Sequence, residues 1–368
     1  MPPDITTLLD MIRALVGEVN PKWKNLRFTP DTHLERELGL DSMARMELCL
    51  RIRASLGIEL DDDTAMCAAT PNDLMRAIDA RSHGQAPDRV NDSAIAERQA
   101  DASELLMGHF GEQTHAGERG AHPAAHTPGE WLYAVYAWPV FVVIGLLTWL
   151  LVVITPLAGW RRKLARLGAR LFFLCTFTPL HVTGQEHLDP RRPQVIVANH
   201  ASYLDGFIVT AALGVPIHFI VKGELSRNLP IRLVLQRFGV EFVDRFNAHK
   251  GPSDVRRIAE KSRNGQSLVF FPEGTFTRFP GLQPFRMGAF VTAARSNVPI
   301  VPVAIRGARD IVRGDDWFPR RGSIEVTVRP PILPAGEGWQ VAIDLRDAAR
   351  REISRYCGEP DLVNNGNL

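Results

Sequence analysis

Between Trp131 and Gly159 the chain runs for 29 residues without one charged side chain, and no other stretch limits its fold as strongly. A bilayer span takes about 20 apolar residues, so this segment either enters a membrane or forms the centre of a core. Trp131, Tyr133, Tyr136 and Trp138 crowd one end, Trp160 marks the other, and Arg161, Arg162 and Lys163 follow directly. Interface-seeking rings followed by cations are the usual flanks of a membrane-embedded segment. The next stretch, Leu164 to Phe177, sets Arg166 and Arg170 among Leu167, Leu171, Phe172 and Leu174, and reads as a basic amphipathic helix suited to a membrane surface.

The same run divides the charge. Residues 1–82 carry 14 acidic and 10 basic side chains, residues 83–130 carry 8 and 3, and residues 131–368 carry 19 and 30. An acidic module therefore precedes a basic body that could meet anionic lipid, a phosphate group or the acidic module itself. No nucleic-acid partner is expected. At 45% hydrophobic and 23% charged the 368 residues are too apolar for disorder and long enough for two or three domains. Cys49, Cys67, Cys175 and Cys357 lie far apart with no CxxC, so neither a disulfide framework nor a zinc site is expected, and the compartment reads as reducing. The opening MPPDITTLLD lacks the basic-then-apolar order of a secretory signal.

Residues 83–130 are rich in Ala, Gly, His, Asp and Gln and nearly free of aromatics, as a solvated linker is. They hold five of the eleven histidines (His83, His109, His115, His122, His126), spaced too irregularly for a metal tract to be preferred. The chain thus divides into residues 1–82, 83–130, 131–180 and 181–368. In the last part, short apolar runs rich in Val, Ile and Phe (195–198, 219–221, 240–243, 268–271, 300–305 and 324–328) read as buried strands separated by helices. Pro252 opens one such helix and Gly265 can close it.

Residues 1–82 read as a small helical bundle: Ile5 to Val19, Ser42 to Leu56 stopped by Gly57, and Pro71 to Ala80 capped by Thr70. On the second helix Met43, Met46 and Leu50 fall on one line with Cys49, Ile52 and Leu56 beside it, enough for a core-facing stripe. Gly39-Leu40-Asp41-Ser42-Met43 places Asp41 as the cap and Ser42 at a helix N-terminus, where free N–H groups and the dipole favour an attached phosphate. These residues, with Glu35, Glu37, Glu47, Glu59 and Asp61 to Asp63 around the second helix and the helix start at Thr70 to Leu74, resemble the acyl carrier protein family. The resemblance implies an all-α four-helix bundle whose Ser42 receives 4′-phosphopantetheine from a phosphopantetheinyl transferase.

The strand at Val195 leads into Asn199-His200-Ala201-Ser202-Tyr203-Leu204-Asp205. A histidine at a strand end and an aspartate one helical turn later can meet, the carboxylate fixing the tautomer while the ring removes a proton. Three further blocks follow in order, Gly239 to Arg245, Phe271 to Thr275 and Val298 to Val303. Together they resemble the glycerolipid acyltransferase superfamily of the 1-acylglycerol-3-phosphate acyltransferase type, over roughly Val182 to Arg306. The resemblance implies an α/β domain with a mixed, mostly parallel sheet. Under it His200 is the base and Asp205 its orienting partner, Arg245 holds the acceptor phosphate, and Glu273, Gly274 and Thr275 shape the acceptor site, Gly274 offering an N–H to an oxyanion. The third block departs from many members of the family, with Phe276 and Thr277 before Arg278. A cation near the acceptor phosphate is displaced, and Arg278 or Arg286 is the substitute. No metal is required.

A single crossing at Trp131 to Gly159 would set the two domains on opposite sides of the membrane. At about 1.5 Å per residue the run reaches about 43 Å, too short for two crossings. The expectation is a helical hairpin, turning near Pro156 to Arg162, that enters one leaflet and keeps both domains on the cytoplasmic face, with a single span as the other anchor. The whole reads as a membrane-associated O-acyltransferase that moves a fatty acyl group from a thioester donor, an acyl carrier or CoA, to the hydroxyl of a lysophospholipid. A linker of about fifty residues gives the fused carrier a reach of about 40 Å, so transfer in cis is expected. The alternative is a non-catalytic scaffold holding carrier and lipid.

Overall fold

The computed structural model describes residues 5–20, 23, 26–35, 37–58, 60, 68–82, 127–222, 241–243, 251–275, 280–312 and 318–362. Arg245, Arg278, Glu59, Asp61 to Asp63 and nearly all of the linker lie outside them.

Three of the four helices expected at the N-terminus are among the described residues: α1 (Ile5–Val19), α2 (Ser42–Leu56) and α3 (Pro71–Ser82). Asp41 Oδ1 accepts the N–H groups of Met43 and Ala44 at 3.1 and 2.9 Å, capping α2, and Gly57 at φ 69° closes it. Thr70 and Asp73 cap α3 reciprocally, side chain to backbone in both directions. The bundle core is built from Leu8, Ile12 and Leu15 of α1, Ala44, Leu48 and Ile52 of α2, and Leu74 and Ile78 of α3. The line Met43, Met46, Leu50 does not face that core. Met43 and Met46 pack into the C-terminal domain and Leu50 stays exposed. On a short helix the apolar side chains form two stripes about a third of a turn apart, and only one of them fits inside the bundle.

Two long helices follow, α4 (Pro128–Ile154) and α5 (Ala158–Cys175). A capping box between Thr127 and Glu130 starts α4, so the helix begins three residues inside the stretch read as linker. The turn is Thr155 to Leu157, and α5 starts six residues before Leu164. Pro156 disfavours a helical Thr155, which ends α4 early and leaves Trp160 to Lys163 riding on α5 rather than in the turn. The helices cross closely at Gly168, where an added methyl would stand 2.1 Å from Thr148 Oγ1. Tyr133 and Tyr136 donate to the carbonyls of Thr176 and Cys175 at 2.9 and 2.7 Å, fastening the base of the hairpin. Most of α4 is left bare: Leu132, Leu146 and Ile154 are each more than 60% exposed. By length and composition α4 can cross a membrane.

The C-terminal domain is a seven-stranded sheet in the order β1-β7-β6-β2-β5-β3-β4, from β1 (Leu180–Thr183), β2 (Val195–Ala198), β3 (Ile217–Lys222), β4 (Glu241–Val243), β5 (Ser267–Phe270), β6 (Ile300–Arg306) and β7 (Ile324–Val328). All neighbours are parallel except β6 and β7. Helices cover both faces, as parallel strands require. On the central strand β2, Val195 and Val197 turn to one layer, with α7 (Gly251–Arg263), α8 (Gly288–Ser296) and α10 (Trp339–Tyr356). Ile196 and Ala198 turn to the other, with α5 and α6 (Asp205–Ala212); a short α9 (Ala308–Ile311) follows β6. The hairpin therefore joins one face of the sheet, and the N-terminal bundle, through Met43, joins the other.

Candidate active site

The carboxyl end of β2, in the middle of the sheet, is where parallel α/β folds place their sites. Asn199 closes the strand with its side chain. Its amide nitrogen donates to Ile305 O at 2.9 Å and its oxygen accepts Ile305 N–H at 2.7 Å, extending the pairing with β6 by one rung. The chain then turns at Ser202, whose hydroxyl donates to Val312 O at 2.8 Å, and enters α6 at Asp205.

This turn brings His200 and Asp205 together. His200 Nδ1 lies 2.7 Å from Asp205 Oδ2, and the same oxygen accepts the N–H groups of Ala201 and Ser202 at 2.7 and 2.8 Å. Asp205 is fully buried, so its direction is set by the fold rather than by solvent. With the Nδ1 proton committed to that carboxylate, Nε2 is the ring atom with a lone pair to offer. The ring is held flat by Phe271, whose centroid is 4.5 Å away at 26°.

Glu273 anchors the main chain of the histidine. Its Oε1 accepts the His200 N–H at 2.6 Å and its Oε2 the Gln283 N–H at 2.8 Å, clamping the histidine's main chain to the loop before α8. Burial pushes its carboxyl up to about 8, outweighing the two backbone hydrogen bonds that act in the opposite direction. Between the unfolded value near 4.5 and about 8 the folded chain holds a proton that the unfolded chain releases. Stability from this group is complete below that window and is lost as pH rises through it. Glu273→Gln exchanges one acceptor oxygen for a donor, so one N–H loses its partner, at about 1–3 kcal/mol. The variant is expected to turn over about tenfold more slowly, and its melting temperature should fall less than that of the parent between pH 5 and 8; equal pH slopes would contradict the assignment.

Gly274 takes φ 80°, a conformation that favours glycine, but its N–H donates to Phe271 O at 3.0 Å. It is turned into the loop and is not offered to an oxyanion. Thr275 is exposed beside it. Arg286 is exposed, with its own N–H on Pro272 O at 2.9 Å. A cavity of about 420 Å³ opens beside Ala201, lined in part by Arg306, Arg309, Asp310, Glu325 and Glu359. Arg309 is paired there with Glu359 at 2.6 Å, so the lining mixes both signs. Asn199, Ser202 and Phe271 carry the geometry without having been singled out from the sequence; the first two stand inside the histidine motif, and only the fold gives them work.

On the surface facing the hairpin, the Phe207 ring of α6 meets Phe141 of α4 at 5.9 Å, and Arg170 Nε donates to Ala211 O at 3.0 Å. The helix that begins at Asp205 is thus packed directly on the apolar hairpin, and Tyr203 and Phe207 extend the exposed apolar surface to the edge of the site.

Two family profiles match the chain, one described as acyltransferase over residues 179–306 and one as phosphopantetheine attachment site over residues 9–78. A protein named 1-acyl-sn-glycerol-3-phosphate acyltransferase BAT2, chloroplastic, from Brassica napus is 32% identical over 200 residues, 53% of this chain and 56% of that protein. The human 1-acyl-sn-glycerol-3-phosphate acyltransferase alpha is 31% identical over 158 residues, 43% of this chain and 56% of that protein. A Mycoplasma pneumoniae protein named "Probable 1-acyl-sn-glycerol-3-phosphate acyltransferase" is 32% identical over 184 residues, 46% of this chain and 69% of its own length. The chain spans 50 to 65% of the length of the first relatives it matches. The crystal structure of the 1-acyl-sn-glycerophosphate (LPA) acyltransferase PlsC from Thermotoga maritima shares the fold, with a TM-score of 0.52 at 22% identity over 61% of this chain and 93% of that one.

Proposed function

Because the chain belongs to the 1-acyl-sn-glycerol-3-phosphate acyltransferase family, we propose that it transfers a fatty acyl group from a thioester to the free hydroxyl of a lysophospholipid such as 1-acylglycerol 3-phosphate. The observation that carries this reading is the contact of His200 Nδ1 with the buried carboxylate of Asp205 at 2.7 Å. His200 Nε2 removes the proton of the acceptor hydroxyl as its oxygen bonds to the acyl carbon, and Asp205 stabilises the imidazolium that results. The carbon–sulfur bond then breaks, and the imidazolium returns its proton to the departing sulfur. An ester and a free thiol are left, and the ring is neutral again. Arg245, Arg278 and Thr275 are the residues proposed to meet the acceptor, the two arginines suited by their fixed fork to a phosphate. Glu273 and Gly274 are proposed to shape the acceptor site, Glu273 while holding the His200 main chain.

Ser42 is the proposed attachment point of 4′-phosphopantetheine. It is half-buried at the first position of α2, and Asp41 beside it already caps the helix, so its hydroxyl is not needed there. When attached, the group supplies a thiol on which an acyl chain is carried. Residues 1–82 are then the carrier, 83–130 its linker, 131–180 the anchor and 181–368 the acyltransferase, with the chain's own carrier, a separate carrier or CoA as donor. A phosphopantetheinyl transferase is the implied partner.

The bare apolar surface of α4 supports seating in a membrane. Arg161, Arg162 and Lys163 stand within two turns of the hairpin's tip, and cations are costly in hydrocarbon, which favours a hairpin lying in the cytoplasmic interface over one that spans. Purified protein given acyl-CoA and 1-acylglycerol 3-phosphate in vesicles should form the diacyl product, measured by lipid mass spectrometry. Hydrolysis of the thioester without any acylated lipid would end the proposal.

A further inference from the structure

The stripe of α2 that turns away from the bundle core has an occupant on the acyltransferase side. Met43 is only 4% exposed although it contributes nothing to the bundle's own core; it is packed, with Met46, among the residues of α7, α8 and α10. Asp41, after capping α2 with Oδ1, uses Oδ2 to accept the N–H of Met287 at 2.9 Å. From α10, Arg346 donates to Val19 O at 2.7 Å and to Glu18 O at 3.3 Å, the carbonyls at the C-terminal end of α1, where a cation also meets the negative end of the helix. Trp339, at the start of α10, packs against both the bundle core and the domain core.

The geometry points to a docking face for the chain's own carrier, formed by Met287, Trp339 and Arg346, that receives the start of α2 and the end of α1. The idea rests on the donor reading given above and goes beyond it by assigning which surface selects the donor. The described contacts here are two backbone carbonyls, the Asp41 carboxylate and two methionines of the carrier, met by Arg346, the Met287 N–H and apolar side chains, a set that depends on the shape of the carrier.

The placement also has a direction. Met287 ends the loop that begins at Pro272: Arg286 N–H binds Pro272 O at 2.9 Å, Gln283 N–H binds Glu273, and Glu273 binds His200 N–H. The residue next to Ser42 is therefore tied to the same loop that holds the base. An arm on Ser42 then starts from a carrier fixed against that loop, and docking replaces a search over the length of the linker by a fixed approach.

The test uses the full chain with its arm attached and loaded, in vesicles containing 1-acylglycerol 3-phosphate. Arg346→Glu places an acid against the C-terminal carbonyls of α1, and Met46→Glu places one in the apolar contact from the carrier side, outside the bundle core. Each is expected to slow transfer from the attached arm about tenfold or more, to leave the rate with added acyl-CoA within about twofold, and to speed amide hydrogen exchange at Met287. Arg346→Lys, which keeps the charge and loses the fork, should fall between. Unchanged exchange at Met287, or an equal loss with both donors, would overturn the docking face. If the parent acylates lipid from neither donor, the acyltransferase reading fails, and the exchange at Met287 still decides the docking.

Discussion

His200→Ala is expected to lower the rate of lipid acylation about 10²–10⁴-fold, the usual contribution of a positioned general base. The size follows from how much of the surrounding structure exists to place one imidazole. Asp205 is fully buried and spends one oxygen on the ring and on two backbone N–H groups. Phe271 fixes the ring plane, and Glu273 fixes the main chain. None of these contacts reaches the hairpin, so the variant should bind vesicles as the parent does. Initial rates of diacyl lipid formation and a vesicle flotation assay on the same preparation check both halves. Acylation within a factor of two of the parent would exclude His200 as the base, whereas lost flotation would mean that the substitution had disturbed the fold.

Ser42→Ala is expected to abolish attachment of phosphopantetheine, and with it all transfer from the chain's own arm. The loss is absolute rather than graded because an alanine methyl has no oxygen to esterify. The helix itself should survive, since Asp41 rather than Ser42 satisfies its first N–H groups. Intact mass after co-expression with a phosphopantetheinyl transferase reads the attachment, and circular dichroism reads the helix. A parent chain that gains no mass, or a variant that gains it as the parent does, contradicts the carrier reading.

The residues that anticipate this architecture best are those whose surroundings are local. Strand β2 is an uninterrupted Val-Ile-Val-Ala, buried on both faces, and its period-two division between the layers follows from the sheet alone. The turn from His200 to Asp205 spans six residues and closes on itself, so its contact could be expected from spacing. The task of Glu273 could not. Its partners are His200, from a distant segment, and Gln283, further along its own loop, and a carboxyl group clamping backbone N–H groups has the same sequence as one lining a substrate site. Likewise Met43 and Met46 look like bundle-core residues because they are apolar and helically spaced; nothing in their spacing says that another domain covers them. Strand β1 and the helix α10 escaped notice for a related reason. The four residues of β1 alternate in burial at the sheet's edge, and α10 carries its arginines Arg346 and Arg350 inward, against the usual sense of an amphipathic pattern.

The bundle and the hairpin grip opposite faces of one sheet, with His200 at the strand ends between them. A lipid leaflet lying along the hairpin would leave the carrier on the far, water-facing flank. Under the proposed reading, oily and water-borne traffic would converge on the imidazole by separate doors, and the arm could be recharged between turnovers without the chain lifting from a bilayer.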